Sequence, residues 1–344
     1  MSRRSLTLLI ASVSTAVAIA VSVLIPVPYV ILGPGPTLNT LGKDSSGHPL
    51  ITISGRASYP TSGHLNMVTV SYQGCQGDRF NIFTALVAWL NPHQAVVPEG
   101  EICPAGQTQK ETQKQDTQQM NSSQQSATAA ALTELHIPFS TQVAVAQAEK
   151  GFPAYGVLKA GDVITKVDGQ PVTSQAALTR MISAHPAGST LTLTIVRGGQ
   201  TRQVQVGTRQ SGGHPVIGVV ITPRYTFPFQ VKISVGDIGG PSAGLMFALG
   251  IIDKLTKLDL TGGKFIAGTG EIEASGKVDP IGGIQQKMIG ARNAGATVFL
   301  TPAANCADTK GAVPAGLRLV KVRTLNDAVT ALENLRAGGS APSC

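Results

Sequence analysis

Residues 239–252 read GGPSAGLMFALGII, and they contain Ser242, the candidate for a nucleophile. Pro241 suits the first position of a helix, and the apolar run that follows predicts a buried helix. Ser242 would then lie in the first helical turn, where backbone N–H groups lack partners within the helix. A serine at a helix start is most often a cap, so this position alone does not establish a nucleophile.

Chain order limits the base that such a serine could use. Residues 240–244 match the G-x-S-x-G pattern of the α/β-hydrolases, in which the catalytic histidine follows the serine. In this chain every histidine precedes Ser242, which excludes that triad: His48, His64, His93, His136, His185 and His214. A chymotrypsin-like order stays open, but nothing around His64 or Asp78 supports it.

A lysine downstream of Ser242 offers a different base. Residues 280–287 read PIGGIQQK, and the pattern predicts a helix that starts near Gly283. Ile284, Met288 and Ala291 form its core-facing stripe, and Lys287 lies on that stripe. Burial and the positive end of the helix dipole would lower the pKa of this lysine towards the value that a general base needs. The alternative is a lysine whose ammonium group extends into solvent.

Three motifs in this half of the chain resemble the proteolytic domain of Lon-type serine proteases. They occur in the family's order, and the resemblance covers about residues 227–335: GPSAG at 240–244, TGE at 269–271 and PIGGIQQK at 280–287. The resemblance implies that Ser242 is the nucleophile, Lys287 the base, and Thr269 a hydrogen-bond partner of the lysine. Glu271 is a weaker supporting candidate.

The helix start at Ser242 also predicts where an oxyanion would bind. Backbone N–H groups at this position suit a developing negative charge, and the expected donors are those of Gly240, Ser242 and Ala243. Gly239 is a departure from the family, because many Lon enzymes carry an acidic residue three positions before the serine.

The sequence predicts no cofactor. Around Gly276 and Lys277 it lacks the glycine and Ser/Thr that a Walker A motif requires, so the ATP-driven unfoldase of cytosolic Lon proteins is absent from this sequence. The expected activity therefore needs neither ATP nor a metal ion.

Residues 140–208 differ in sequence pattern from the rest of the chain. The pattern predicts short strands joined by glycine turns and a hairpin at Asp168–Gly169. This stretch resembles a PDZ domain, most clearly at residues 158–172 (LKAGDVITKVDGQPV), which implies binding of extended peptides by strand addition. The alternative is a spacer without a ligand. The loop that stands where family members bind a peptide terminus consists of Gly151, Phe152, Pro153 and Ala154.

An apolar run from Leu6 to Ile25 follows Arg3 and Arg4 near the N-terminus. About twenty such residues can cross a bilayer as a helix, and the positive-inside rule places the N-terminus in the cytoplasm and the remainder outside. A single-pass signal anchor in the cell membrane is therefore expected within residues 1–32. A cleaved signal peptide is the alternative.

All four cysteines would lie outside the cytoplasm on this topology: Cys75, Cys103, Cys306 and Cys344. An even number in an oxidising compartment suggests disulfides, and the local pairings Cys75–Cys103 and Cys306–Cys344 are favoured among the three connectivities. Free buried thiols are the alternative. No C-x-x-C pair supports a zinc or redox site.

The net charge of +8 is the compositional feature that could indicate nucleic acid. The basic residues are scattered and form no stripe with aromatic residues, so no nucleic-acid partner is expected. Attraction to an anionic outer surface is the preferred interpretation.

The chain as a whole is predicted to be α+β, with an N-terminal transmembrane helix, a PDZ-like β-barrel domain and a Lon-type proteolytic α+β domain. The expected boundaries are 1–32 for the anchor, 45–136 for the first part of the body, 137–212 for the PDZ-like domain and 213–344 for the Lon-type domain. A strand at 64–71 and a helix over 120–135 resemble the start of the Lon-type domain. The PDZ unit is therefore hypothesised to be inserted into a discontinuous Lon-type domain.

This arrangement resembles the bacterial membrane-anchored PDZ–Lon (YlbL-like) proteins. The resemblance implies an ATP-independent serine endopeptidase that acts outside the cytoplasm on unfolded or tail-presenting protein and peptide substrates. The alternative function is a catalytically inactive, peptide-binding adaptor that retains the Lon-type fold. The sequence leaves open whether the chain forms a homo-oligomer.

Overall fold

The computed structural model of the chain describes residues 3–44, 46–75, 78–103 and 106–344. The helices within these ranges are α1 Arg3–Leu24, α2 Ile82–Leu90, α3 Glu99–Ile102, α4 Gln109–Glu134, α5 Gln175–Ser183, α6 Gly244–Leu255, α7 Ile284–Asn293 and α8 Leu325–Arg336, with a 3₁₀ helix at Ala303–Thr309. The strands are β1 Tyr29–Asn39, β2 Ile51–Ser54, β3 His64–Gln73, β4 Ala95–Pro98, β5 Ser140–Ala148, β6 Val163–Val167, β7 Gln170–Pro171, β8 Thr190–Arg197, β9 Gln200–Gly207, β10 Arg209–Ser211, β11 His214–Val216, β12 Val219–Thr226, β13 Gln230–Ile233, β14 Phe265–Gly268, β15 Glu271–Ile272, β16 Val278–Asp279, β17 Val298–Pro302 and β18 Arg318–Val322.

These elements form two compact units. The first contains Met1–Ile137 and Phe229–Cys344, and the second contains Pro138–Pro228. The second unit therefore interrupts the first in sequence, as the hypothesis of a discontinuous domain requires. The boundary expected at residue 212 lies instead at 228, because β12 pairs with β5 from Val219 to Thr226 and so completes the sheet of the second unit.

A six-stranded mixed sheet forms the centre of the first unit. Its strand order is β18-β17-β14-β3-β1-β4, with β18, β17, β14 and β3 parallel and β1 antiparallel to both of its neighbours. The strand expected at 64–71 is β3, and it lies directly beside β14. Since β14 ends at Gly268, the next residue, Thr269, lies at the carboxyl end of this strand.

Helices α6 and α7 cover opposite faces of this sheet. Neighbouring residues of a strand point to opposite faces. On β14, Ala267 belongs to the same buried cluster as Ile284 and Met288 of α7. A Cβ atom at the next residue, Gly268, would lie 2.7 Å from the sulfur of Met246 in α6. The sheet thus fixes both the helix that follows Ser242 and the helix that carries Lys287.

The long helix α4 packs against α6. It begins with a capping box, in which the Thr108 hydroxyl accepts the N–H of Glu111 and the Glu111 carboxylate accepts the N–H of Thr108. The polar stretch 107–125 is the first part of this helix, as its continuation into helix-forming residues predicted. The second half of this helix is buried on all sides, because every residue from 127 to 132 is buried.

The second unit is a small β-rich body with one helix, α5, among its described elements. Its sheet has the order β12-β5-β6-β8-β9, with β7 paired to β6. The hairpin predicted at Asp168–Gly169 joins β6 to β7, and both residues adopt positive φ angles of 46° and 81°. β12 lies at the edge of this sheet.

The N-terminal segment forms helix α1, which includes hydroxyl residues that bond back to their own helix, such as Ser12 to the carbonyl of Leu8. Among the described residues, no helix combines the length and the apolar character that crossing a membrane requires. The transmembrane helix predicted over 6–25 is therefore not supported.

Two disulfides join the cysteines in the first unit. Cys75 is bonded to Cys103, and Cys306 to Cys344, which are the two local pairings that the sequence favoured. The first ties the loop after β3 to the end of α3. The second ties the 3₁₀ helix to the last residue of the chain.

Candidate active site

Ser242 lies in the tight segment between β13 and α6. Because α6 begins at Gly244 with Ala243 as its N-cap, Ser242 precedes the helix and does not lie in its first turn as predicted. The Ser242 carbonyl accepts two hydrogen bonds of 2.9 Å, from the N–H of Gly270 and from the hydroxyl of Thr269. These bonds fix the backbone of the serine from the side of β14.

Lys287 projects from the beginning of α7 towards Ser242. This helix starts after Gly283, which adopts a φ of 66° and whose added Cβ would lie 2.7 Å from a methyl group of Val70. Glycine is therefore required there on both counts. Lys287 is only 4% exposed, and its Nζ lies 2.9 Å from the Ser242 Oγ. The apolar stripe of the predicted helix correctly indicated a core-facing lysine.

Burial determines the charge of this lysine. Withdrawing an ammonium group from water disfavours the charged form, and burial lowers the pKa of Lys287 to about 8. Across the part of the chain that the structure describes, no carboxylate forms an ion pair with it. A fraction of the molecules therefore carries a neutral amine near neutral pH, and that amine can accept a proton from the adjacent hydroxyl.

Thr269 connects the serine and the lysine. It is fully buried at the end of β14, and its hydroxyl donates to the Ser242 carbonyl. Its Oγ1 also lies 3.4 Å from the Nζ of Lys287. The structure thus places Thr269 where a residue that orients the lysine would be expected.

Glu271 lies outside this arrangement. Its backbone pairs with Asp279, and its exposed side chain lines a separate depression that also includes Pro241. Burial raises the pKa of the Glu271 carboxyl, and the nearby carboxylates of Asp279 and Glu273 raise it further. The predicted supporting role is not supported, because the turn into β15 directs this side chain away from the lysine's cleft.

Ser242 and Lys287 line a cleft of about 480 Å³. Most of its side chains are apolar, including Leu32, Val68, Val70, Tyr72, Ile102, Met120 and Ile238. Two carboxylates, Asp116 and Asp237, also line it. An apolar cleft with a few polar groups is typical of a site that binds an organic ligand or peptide. Among the described residues, no group of three or more His, Cys, Asp or Glu side chains could hold a metal ion.

Asp116 of α4 occupies the space beside Gly239. A Cβ atom at Gly239 would lie 2.5 Å from the Cβ of Asp116, so an acidic side chain does not fit at 239. Burial raises the pKa of the Asp116 carboxyl. The cleft therefore has a carboxylate near the nucleophile, but it comes from α4 and not from position 239. Asp116 was not predicted as a site residue, although its helical spacing from Met120 and Ser123 indicates a shared face.

The expected oxyanion donors are only partly available. The N–H of Gly240 already donates to the Asp116 carbonyl at 3.0 Å, so this prediction is wrong. Over the described chain, the N–H groups of Ser242 and Ala243 have no backbone acceptor. Both residues line the cleft, so these two groups remain the candidates for binding an oxyanion.

A second candidate site lies in the second unit. A groove of about 320 Å³ runs between α5 and the edge strand β12, and its apolar lining includes Leu178, Ile182, Ile217, Val219 and Ile221. A free strand edge beside an apolar groove can accept an extended peptide.

Of the four loop residues predicted to bind a peptide terminus, Phe152 lines this groove. Ala154 is part of the core, and Pro153 lies near Gly207. The carbonyl of Gly151 accepts a hydrogen bond from Arg209, whose guanidinium also stacks over the ring of Phe152. Phe152 is thus the one residue of this loop that lines the groove.

Two stretches of the chain match families of known proteins. Residues 112–208 match the family of PDZ domains, and residues 231–333 match the Lon protease (S16) C-terminal proteolytic domain. The PDZ match begins inside α4 and ends before β12, so its limits differ from those of the compact unit.

Similar proteins include Lon proteases of two bacteria. The chain is 45% identical to that of Roseiflexus castenholzii over 71 residues, covering 21% of this chain and 9% of the relative. It is 36% identical to that of Campylobacter concisus over 108 residues, covering 30% and 13%. The chain thus spans about a tenth of the length of these relatives.

Among solved structures, the PDZ domain of an SdrC-like protein from Listeria innocua is 28% identical. The match covers 23% of this chain and 92% of that domain, with a TM-score of 0.23. From the two family matches, the chain contains a PDZ domain and the C-terminal proteolytic domain of the Lon (S16) serine proteases.

Proposed function

We propose that this chain is an ATP-independent serine endopeptidase that uses Ser242 and Lys287 as a catalytic dyad. The observation that carries the proposal is the 2.9 Å approach of a buried lysine amine to the hydroxyl of Ser242. A nucleophile and a base within hydrogen-bond reach, with a third group that orients the base, is the arrangement that covalent catalysis requires. Thr269 is that third group.

Acylation begins with the neutral form of Lys287. Its Nζ removes the proton from Ser242 as the Oγ attacks the carbonyl carbon of the scissile peptide bond. The negative charge that develops on the carbonyl oxygen is stabilised by the N–H groups of Ser242 and Ala243. The protonated Lys287 then donates its proton to the leaving amine, and the acyl-enzyme forms.

Deacylation uses the same groups in reverse. Lys287 accepts a proton from a water molecule that attacks the ester, and the oxyanion again forms beside the two N–H groups. Ser242 leaves with the proton returned by Lys287, and the carboxylic acid product departs. No step draws on ATP, a metal ion or another cofactor.

The PDZ domain is proposed to recognise extended or unfolded segments of protein substrates. The open edge of β12 beside the apolar groove supports this role, because strand addition supplies backbone hydrogen bonds while the groove accepts apolar side chains.

The body of the protein is proposed to act outside the cytoplasm. Two disulfides support this location, since disulfides persist mainly in oxidising compartments.

Replacement of either dyad residue tests the proposed activity. Ser242→Ala and Lys287→Ala should each reduce kcat/KM for an unfolded protein by about 10³-fold or more, because nucleophile and base act as one unit. Cleavage is measured by gel electrophoresis and with a fluorogenic peptide. Ser234→Ala and Lys114→Ala are the matched controls, and both should retain activity. Undiminished cleavage by both dyad variants would instead favour the inactive adaptor.

The pH dependence tests the role of Lys287 as the base. Only the neutral amine accepts a proton, so log kcat/KM should rise with a slope near one below about pH 8 and level off above it. The measurement is a kcat/KM profile from pH 6 to 10 with a peptide that has no ionisable side chain. A profile that is flat or falling between pH 6 and 8 would contradict this role.

Neighbouring residues of β12 provide a test of the PDZ groove. Val219 lines the groove, whereas Val220 is 46% exposed and does not. Val219→Lys should slow cleavage of an unfolded protein by roughly 5- to 10-fold while leaving a short peptide unaffected, because a buried charge weakens apolar recognition. Val220→Lys is the control. Equal effects of the two variants, or none, would reject the proposed recognition.

The redox state of the cysteines tests the location. After alkylation of intact producing cells, all four cysteines should remain unmodified by mass spectrometry, because each is disulfide-bonded. A variant without residues 3–24 serves for comparison. Alkylation of all four cysteines in the complete chain would argue against an oxidising compartment.

A further inference from the structure

Helix α4 holds the segment that carries the nucleophile. Two of its residues, seven positions apart and so on one face of the helix, bond to consecutive residues of that segment. The carbonyl of Asp116 accepts the N–H of Gly240 at 3.0 Å, and the hydroxyl of Ser123 donates to the carbonyl of Pro241 at 2.8 Å. Both bonds end on backbone atoms directly before Ser242.

The bond from Ser123 fixes the orientation of a whole peptide plane. A trans peptide is planar, with its C=O and N–H pointing in opposite directions, and the described chain contains no cis peptide bond. The Pro241 carbonyl belongs to the same peptide plane as the N–H of Ser242. Holding this carbonyl towards Ser123 therefore directs the N–H of Ser242 to the opposite side of the segment.

The two sides of the segment face different surfaces. Ser123 and Pro241 line a depression that also includes Ile272. Ser242 and Ala243 line the separate cleft that contains Lys287. An N–H group that points away from Ser123 thus points to the side where the substrate carbonyl would bind.

The following peptide plane is held in the same manner. The Ser242 carbonyl accepts the bonds from Gly270 and Thr269, so the N–H of Ala243 points away from β14. Each of the two candidate oxyanion donors is therefore oriented through the carbonyl of its own peptide.

Close packing keeps Ser123 in place. It is 5% exposed, and a Cβ atom added at Gly244 would lie 3.0 Å from its Oγ and 2.8 Å from a methyl group of Ile272. Only a glycine at position 244 lets α4 approach the beginning of α6 this closely. The hydroxyl therefore meets the Pro241 carbonyl in a defined geometry.

We propose that Ser123 is a positioning residue for catalysis, which aims the N–H of Ser242 at the oxyanion of the tetrahedral intermediate. This proposal rests on the proposed peptidase function. Ser123 touches neither the substrate nor the reacting atoms. Its effect passes through the Pro241–Ser242 peptide, whose carbonyl would keep only the longer, 3.4 Å bond from the N–H of Gly244 when it loses the hydroxyl donor.

The test compares Ser123→Ala and Ser123→Cys with a matched control in the full chain. Thr128→Val removes a hydroxyl that is equally buried in α4 but bonds only to Gln124 of the same helix. Cysteine is nearly isosteric with serine but is a weak donor, so it separates the hydrogen bond from the packing. Each variant is assayed for kcat and KM with a fluorogenic peptide and for unfolding in urea.

Removal of a direct oxyanion donor costs about 10²- to 10³-fold in kcat, so loss of an indirect one should cost less. We expect Ser123→Ala to lower kcat by roughly 10- to 100-fold with KM changed less than about 2-fold. Ser123→Cys should fall between alanine and serine. Thr128→Val should retain kcat even where its stability decreases as much as that of Ser123→Ala.

A peptide aldehyde supplies a readout that a purely structural role would not change. Ser242 Oγ adds to the aldehyde carbon, its proton passes to Lys287, and the carbonyl oxygen becomes an oxyanion that resembles the intermediate. The inhibition constant of this aldehyde should increase by about the same factor as kcat decreases. Binding of the corresponding uncleaved peptide to the variants that also carry Ser242→Ala should not change.

The outcomes separate this proposal from the function on which it rests. A wild-type chain without Ser242-dependent cleavage rejects both. A wild-type chain that cleaves, with Ser123→Ala retaining kcat and aldehyde affinity, rejects only the positioning role. Equal losses of kcat in Ser123→Ala and Thr128→Val also reject the positioning role, since the loss would then follow from a less stable helix. If Ser123→Ala does not fold, Ser123→Cys decides by the same comparison.

Discussion

The burial of Lys287 against Ser242 is the constraint on which the site depends. An amine in water is protonated at neutral pH and cannot act as a base. Burial of Lys287 among the surrounding side chains lowers its pKa to about 8 without the help of a neighbouring cation. At a distance of 2.9 Å from the Ser242 hydroxyl, the neutral amine is close enough to accept its proton. The core cluster that includes Ile284 and Met288 therefore belongs to the structure that supports the proposed dyad.

Three elements that are distant in sequence position Ser242, the proposed nucleophile. Thr269 and Gly270, which follow β14 directly, bind the Ser242 carbonyl, and α7 supplies the lysine. α4 binds the preceding residues through Asp116 and Ser123. Because α4 comes before the inserted PDZ unit, the nucleophile segment is held by parts of the chain on both sides of the insertion. The discontinuous unit is thus a requirement of the site and not only a feature of the chain order.

The glycines around Ser242 have specific roles in this assembly. Gly239 leaves room for Asp116, and Gly244 leaves room for Ser123 and Ile272. An acidic residue at 239 would displace α4, whereas the carboxylate of Asp116 reaches the same cleft from the helix. The cleft therefore contains a carboxylate although residue 239 is a glycine.

The order of residues was enough to predict the candidate nucleophile and base and the type of the elements that carry them. Three such features can be read directly from the order of residues. They are the position of every histidine before Ser242, the apolar stripe that includes Lys287, and the helix-forming continuation of the polar stretch 107–125. Hairpin geometry at Asp168–Gly169 was predictable for the same reason.

Which of these groups come into contact could not be predicted from the sequence. Four features depend on contacts between segments that are distant in sequence. They are the hydrogen bond of the Gly240 N–H, the approach of Asp116 and Ser123, the outward direction of Glu271 and the groove beside β12. Such contacts follow from how the sheet and helices pack, and periodicity along one segment carries no information about them.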